Sequence, residues 1–215
     1  GLSFTNGDLT TGEGLEALTE GARGATVFHV AGVIHPSHGR KEFYDVNFEG
    51  TKRLLTAAIN AGCKRFIYVS SNSPIGCNTS SQEADRFDEK SPYNPYMHYG
   101  RSKKMAEELV NAAGRKSSLE TVIIRPPWFY GPRQPLRQTM FFSMIKNGKM
   151  PIVGDGENLR SMAYVDNICQ GLLLCQQVEQ AKGKTYWIAD QRPYTMNEIV
   201  DTVERVLEND FNIKC

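Results

Sequence analysis

Tyr99-Gly100-Arg101-Ser102-Lys103 opens a run, Lys104-Met105-Ala106-Glu107-Glu108-Leu109-Val110, built almost wholly from strong helix formers. On a helix, Tyr99 and Lys103 stand four residues apart on one face, so their side chains can converge on one spot. A phenol ordinarily holds its proton up to about pH 10, and an ammonium a few ångströms away favours the phenolate, which gives a usable proton acceptor near neutral pH. Upstream, Arg65-Phe66-Ile67-Tyr68-Val69-Ser70-Ser71 predicts a short buried strand ending in two hydroxyls, followed by the breakers Asn72, Ser73, Pro74 and Gly76. Downstream, Thr121-Val122-Ile123-Ile124-Arg125 predicts a second strand, stopped by Pro126-Pro127. Strand, helix and strand in this order make one right-handed βαβ unit, and ligands collect at the carboxyl ends of such strands, where Ser71 stands.

The composition fits a globular enzyme. A chain of 215 residues is long enough to bury a real core, and 25 basic against 24 acidic residues, net charge +1, give no electrostatic reason to expect nucleic acid or an anionic membrane. No apolar run approaches membrane-spanning length; the nearest, Ile168 to Cys175, is broken by Gln170 and Gly171. With no signal-peptide pattern either, a cytoplasmic location is expected. The five cysteines, Cys63, Cys77, Cys169, Cys175 and Cys215, are odd in number and lack a Cys-x-x-Cys pair, so they read as reduced thiols. His35 and His38 share a loop without acidic or cysteine partners at ligand spacing, and no metal is expected.

The order and setting of Ser71, Tyr99 and Lys103 resemble the extended short-chain dehydrogenase/reductase superfamily, in particular its NAD-dependent epimerase/dehydratase group, and the resemblance covers almost the whole chain. Pro126-Pro127-Trp128-Phe129-Tyr130-Gly131-Pro132-Arg133, entered from Arg125, is similar to that family's Arg-Pro-x-x-x-Tyr-Gly-Pro-Arg signature. Leu159-Arg160-Ser161-Met162-Ala163-Tyr164-Val165-Asp166 resembles its Arg-Asp-Phe-x-x-Val-x-Asp segment, with Ser161 in place of the usual Asp. The resemblance implies an α/β doubly wound parallel sheet, Rossmann-like, with a smaller interleaved substrate-binding region lying mainly within 129–215. It also implies a chain that begins inside the fold, without the first strands and the glycine-rich phosphate loop, and that stops short of a full C-terminus. In that setting Asp8 and Leu9 follow the third strand near the adenine. Val30, Ala31 and Gly32 run under the nicotinamide side, Asn47 supports them, and Pro127 completes the cofactor surface with Tyr99 and Lys103. Arg133 and Arg160 fall on the substrate side, where the family meets a nucleotide diphosphate.

Other segments follow from local pattern. Gly12-Glu13-Gly14-Leu15-Glu16-Ala17 satisfies a dinucleotide-binding spacing, but no apolar strand precedes it and Glu13 would set a carboxylate beside a pyrophosphate; it reads instead as a helix start with Leu15 and Leu18 turned inward. Leu2 to Phe4 has the look of a strand tail, Ala25 to Val30 of a buried strand, and Phe43 to Ala61 of a helix. His29 reads as a core histidine. The polar stretch from Asn72 to Pro95 is longer than ordinary connections and reads as a substrate-facing lid or mouth. Arg137 to Asn147 predicts a helix, Met150 to Val153 a short strand, Thr185 to Asp190 the closing strand, and Met196 to Glu208 a helix capped by Thr195.

The implied activity is NAD(P)-dependent chemistry at a secondary alcohol. Tyr99 would remove the hydroxyl proton, Ser71 would orient and polarise that oxygen, and Lys103 would hold the ribose and lower the tyrosine pKa. A nucleotide-sugar epimerase, homodimeric when complete and using NAD, is the leading expectation, with NADP left open. A 4,6-dehydratase would carry Asp and Glu directly after the serine, where this chain has Asn72 and Ser73. Two alternatives stand: an enzyme on an apolar alcohol, resembling the 3β-hydroxysteroid dehydrogenase and dihydroflavonol reductase groups, and a non-catalytic cofactor-binding sensor or scaffold, which the intact Ser71, Tyr99 and Lys103 set speaks against.

Overall fold

A computed structural model describes residues 1–78, 82 and 85–214. Its centre is a four-stranded parallel sheet formed by β1 (Thr26–His29), β2 (Arg65–Val69), β3 (Glu120–Arg125) and β7 (Thr185–Trp187), in the order β1-β2-β3-β7. Thr26 is paired with Arg65, Arg65 with Glu120, and Ile123 with Thr185, so the carboxyl ends of all four strands lie along one rim. The two central strands are buried on both faces, as continuous apolar runs require. Alternation sends Phe66 and Tyr68 to one side, where Leu54, Leu55 and Ala58 of α3 (Thr51–Asn60) and Ala106 and Val110 of α4 (Met97–Lys116) cover them. Ile67, Val122 and Ile124 go to the other side, beneath Ile168, Leu172 and Cys175 of α6 (Val165–Gln177). Helices on both faces of a parallel sheet are the expected doubly wound architecture.

The smaller part interleaves with this frame. β4 (Trp128–Tyr130) pairs in parallel with β6 (Met162–Tyr164), and β5 (Leu159–Arg160) pairs antiparallel with β8 (Tyr194–Thr195). α5 (Leu136–Lys146) and α7 (Met196–Phe211) complete it. The start of α7 is set by a capping box: the Thr195 hydroxyl accepts from the Glu198 N–H at 3.0 Å, and the Glu198 carboxylate accepts from the Thr195 N–H at 2.9 Å. Arg65, buried at the start of β2, closes the other end of α6. Its guanidinium donates to the carbonyls of Cys175 (2.7 Å), Gln176 and Val178 (3.0 Å each) and to the Glu120 carboxylate (2.8 Å).

Several elements depart from the sequence expectations. Leu2 and Phe4 form no strand and are each 92% exposed, since no neighbouring strand among the described residues offers them a ladder. α1 (Leu15–Thr19) buries Leu15 but leaves Leu18 half exposed, being too short to turn both onto the core. Met150 to Val153 is irregular and carries no ladder. The closing strand ends at Trp187 rather than Asp190. The helix expected over 43–61 is interrupted: α2 (Lys41–Tyr44) runs into a π-helical turn, Asp45–Gly50, before α3 begins. Cys63, Cys77, Cys169 and Cys175 are free thiols, whereas Cys215 lies outside the described residues, as do parts of the Asn72–Pro95 stretch. No described helix is long and apolar enough to cross a membrane.

Candidate active site

The site is assembled where the carboxyl end of β2 meets the first turns of α4. Gly100 makes this approach possible: a Cβ there would lie 2.5 Å from the Ser73 carbonyl oxygen, so only glycine lets the helix sit against the turn behind Ser71. Met97, the first residue of α4, holds a left-handed backbone (φ 54°). Tyr99 packs beside Phe43 at 6.0 Å between ring centroids, and His98 takes a hydrogen bond with Tyr44 at 2.9 Å, which anchors α4 to α2.

Ser71 and Tyr99 do come together. Burial holds the phenol above its ordinary value, and the nearby Ser71 hydroxyl acts in the opposite sense without cancelling it. Ser71 also donates to Asn72 Oδ1 at 3.1 Å and accepts from the Ser73 N–H at 3.2 Å, so its hydroxyl is held by its own turn. Lys103 behaves differently from the expectation that it would act on the phenol. Its ammonium turns to the strand instead, donating to the Val69 carbonyl at 2.7 Å and lying 4.2 Å from the centre of the Tyr68 ring. Spacing fixes the helical face but not the direction of a four-carbon stem, and a free carbonyl at the strand end is the stronger partner. Burial pulls this ammonium down to about 7, with Glu107 acting in the opposite sense.

Asn47 joins the end of β1 to the same place. Its amide is buried, accepting from the Val33 N–H at 2.7 Å and donating to the Val33 carbonyl at 2.9 Å and to Ser102 Oγ at 3.2 Å. This side chain replaces a missing ladder partner for the backbone beyond β1 and clamps it to α4. The π-helical turn is what aims it: the Asn47 carbonyl takes the Thr51 hydroxyl at 2.7 Å. That leaves Thr51 Oγ1 as acceptor for His29 Nε2 at 2.8 Å, so His29 is a neutral core residue, its pKa lowered by burial to about 3. Val30, Ala31 and Gly32 are exposed at the end of β1. A Cβ on Gly32 would lie 3.1 Å from Asn47 Oδ1 and 4.0 Å from Lys103 Nζ, so the glycine leaves an open cradle beside the lysine.

The remaining expected residues divide. Asp8 is a turn residue, its carboxylate exposed and accepting from the Thr10 N–H at 2.6 Å, a bond that lowers its pKa. Leu9 packs on Gly50, and its carbonyl accepts from Arg53 at 3.1 Å, which sets both residues beside the start of α3. Pro127 is buried just past β3, next to the strand end that carries Ser70. Arg160 lies over the Trp128 ring at 4.7 Å, whereas Arg133 is exposed in a left-handed turn (φ 61°). No hydrogen bond or ring contact links the two arginines among the described residues. Sequence reasoning missed Glu107, Ser70 and Tyr93, which join Arg125 in a buried cluster beneath the site. For Glu107 the spacing shows only that it shares the helical row of Tyr99 and Lys103; its buried partners come from other segments and leave no local signal.

Comparison with known proteins gives a consistent picture. The chain is 48% identical to an uncharacterized protein, y4nL, of Sinorhizobium fredii, over 99% of its own length and 59% of the relative's. It is 35% identical to the N-acetyl-alpha-D-glucosaminyl-diphospho-ditrans,octacis-undecaprenol 4-epimerase of Escherichia coli O157:H7, over 77% of this chain and 49% of that one. Among solved structures, it superposes on a dTDP-glucose 4,6-dehydratase of Streptomyces venezuelae, DesIV, determined with NAD bound. The TM-score is 0.79 at 27% identity, covering 97% of this chain and 65% of the other. The chain therefore spans between about half and two thirds of the length of these proteins. The sequence model of the 3-beta hydroxysteroid dehydrogenase/isomerase family matches residues 2–213, and with the parallel sheet and the Ser71, Tyr99 and Lys103 arrangement in hand, the chain belongs to that family, within the extended short-chain dehydrogenase/reductases.

Proposed function

We propose that the protein is an NAD-dependent enzyme that epimerises a secondary alcohol of a diphosphate-linked sugar, with Ser71, Tyr99 and Lys103 as its working groups. The observation that supports it most directly is the approach of Ser71 to the Tyr99 phenol, together with the open cradle at Gly32 beside the Lys103 ammonium. The residues present fit a nicotinamide cofactor: exposed backbone at Val30, Ala31 and Gly32, a cradle that a Cβ would fill, and a buried ammonium at its edge. When bound, NAD supplies the hydride acceptor and returns the hydride in the second half of an epimerisation. Asp8, Leu9 and Pro127 extend the surface that would hold it, and Asn47 keeps the Val33 backbone in place beneath it.

On the protein side, Tyr99 takes the proton of the substrate hydroxyl as the alcohol becomes a carbonyl and gives it back on reduction. Ser71 holds the same oxygen by hydrogen bonding, and its contact with the phenol favours the phenolate. Lys103, tethered to Val69, would hold the ribose at the edge of the Gly32 cradle. The sugar diphosphate is supported by Arg160, whose guanidinium is backed by Trp128 and leaves its donors available for an anion, and by the activities of the Escherichia coli and Streptomyces relatives. Arg133 would add a second cation from the other edge of the 129–215 region.

An apolar alcohol is the second reading. The family match favours it, as do Leu136, Met140 and Val153, large apolar side chains exposed on α5 and the segment after it. A screen of the full-length protein decides between them: nucleotide sugars and polyprenyl-diphosphate sugars on one side, sterol-like alcohols on the other, with NADH absorbance and product epimers as readouts. Interconversion of sugar epimers without NADH accumulation is the expected result. Stoichiometric NADH from a sterol alone would install the second reading instead.

A further inference from the structure

Glu107 lies one turn beyond Lys103 on α4, and none of it reaches solvent. Its carboxylate accepts from the Ser70 hydroxyl at 2.5 Å, the Tyr93 phenol at 2.8 Å, and Arg125 Nε and Nη2 at 3.1 and 2.6 Å. Each donor comes from a different segment. Ser70 is the neighbour of Ser71 at the end of β2, Arg125 ends β3 just before Pro126-Pro127, and Tyr93 belongs to the stretch that leads into α4. A helix with an isolated buried ion pair gains little from it, because desolvation offsets the attraction. Here the pair is extended by two hydroxyl donors, and all four groups converge beneath the site.

We propose that Glu107 is a positioning residue for the site: its carboxylate locks Ser70 and Ser71 against α4 and supplies the negative charge that faces the Lys103 ammonium. The groups around that ammonium are the Tyr68 ring and the Val69 carbonyl from β2, neutral His29 from β1, and Glu107 from α4, whose carboxylate is bound by Arg125 from β3. Burial disfavours the charged lysine and Glu107 favours it. The catalytic part rests on the function proposed above; the electrostatic part stands without it.

The test is a titration of full-length protein carrying lysine labelled with 13C at Cε, the Lys103 signal being identified by its loss in Lys103→Met. In Glu107→Gln, the Lys103 midpoint should fall by about one pH unit or more. Should that variant fail to fold, Glu107→Gln combined with Arg125→Gln removes both buried charges and leaves neither unpaired, and a smaller fall is expected, because losing the Arg125 cation partly offsets losing the carboxylate. An unchanged midpoint in folded Glu107→Gln, or a double-variant midpoint no lower than that of Arg125→Gln alone, overturns the proposal. In turnover, Glu107→Gln should lower kcat by roughly tenfold to a hundredfold with cofactor affinity retained; a folded variant with wild-type kcat overturns the positioning role. A shifted lysine in a protein that turns over no alcohol would count against the function proposed above and leave the electrostatic link intact.

Discussion

The Lys103 ammonium donates to the Val69 carbonyl at 2.7 Å, so the helix that carries Tyr99 and the strand that carries Ser71 are tied by a charged hydrogen bond. The bond explains how a lysine with almost no exposed surface is retained in its position, and it gives the first prediction.

In the unfolded chain Lys103 holds its proton up to about 10.5, and in the folded chain only up to about 7. Between those values the unfolded state binds more protons, so this residue makes the fold more stable as pH rises, by at most about 1.4 kcal/mol per pH unit. Lys103→Met lacks this component. In denaturant titrations, the advantage of the Met variant over wild type should be largest at pH 6 and shrink towards pH 10. A difference that does not vary with pH would show that the ammonium is not buried in the protein in solution.

Tyr99→Phe should cut turnover of the full-length enzyme by roughly a hundredfold to ten-thousandfold, because the ring keeps its packing on Phe43 while the transferable proton is lost. NAD affinity, followed by fluorescence quenching, should stay near that of wild type. Turnover close to normal would remove the phenol from the chemistry.

Gly100→Ala tests the approach of α4 to the turn behind Ser71. The added methyl would lie 2.5 Å from the Ser73 carbonyl, so the helix start must shift and carry Tyr99 with it. Circular dichroism should be unchanged while kcat drops by roughly tenfold to a hundredfold. Full activity in that variant would mean the turn yields instead of the helix.

Arg65→Met removes a group whose surroundings stay behind. The Cys175, Gln176 and Val178 carbonyls and the mostly buried Glu120 lose their donor, and a loss of about 3 kcal/mol or more is expected in equilibrium unfolding. Replacing Glu120 by Gln at the same time should recover part of it.

Arg160→Ala should raise KM for a diphosphate-linked sugar roughly tenfold with less effect on kcat, the cost of one charge-assisted hydrogen bond. Free nucleoside diphosphate should compete with the substrate in wild type and bind more weakly to the variant. Unaltered KM together with no inhibition would favour the apolar alcohol.

The frame was legible because its signals are local. β2 and β3 are continuous apolar runs, α4 is a string of helix formers, and the start of α7 is written in Thr195 and Glu198. What escaped depends on partners far away in the chain. Apolar Met150 to Val153 looks like a strand until no ladder is found for it, and Leu18 looks inward until the helix proves too short. Lys103 was placed on the right face, but the carbonyl that fixes its direction belongs to residue 69. Glu107 reads as one more charged helix residue, and only the convergence of Ser70, Tyr93 and Arg125 from three other segments makes it a buried group. The roles of Arg133 and Arg160 were inferred from order along the chain, and only Arg160 acquires a built environment.

The π-helical turn over Asp45–Gly50 has a consequence for chain length. Such a turn contains one residue more than the α-helix around it, and two clasps lie on either side of that surplus: Asn47 to the Val33 backbone, and Thr51 to His29. Deleting a single residue between them would restore regular helical spacing, yet it would rotate one clasp against the other by about 100°. Point substitutions across this segment leave that phase intact, whereas a one-residue deletion cannot. The helix thus acts as a counter whose tally must be right, and the geometry of the cleft depends on the number of residues here as much as on their kind.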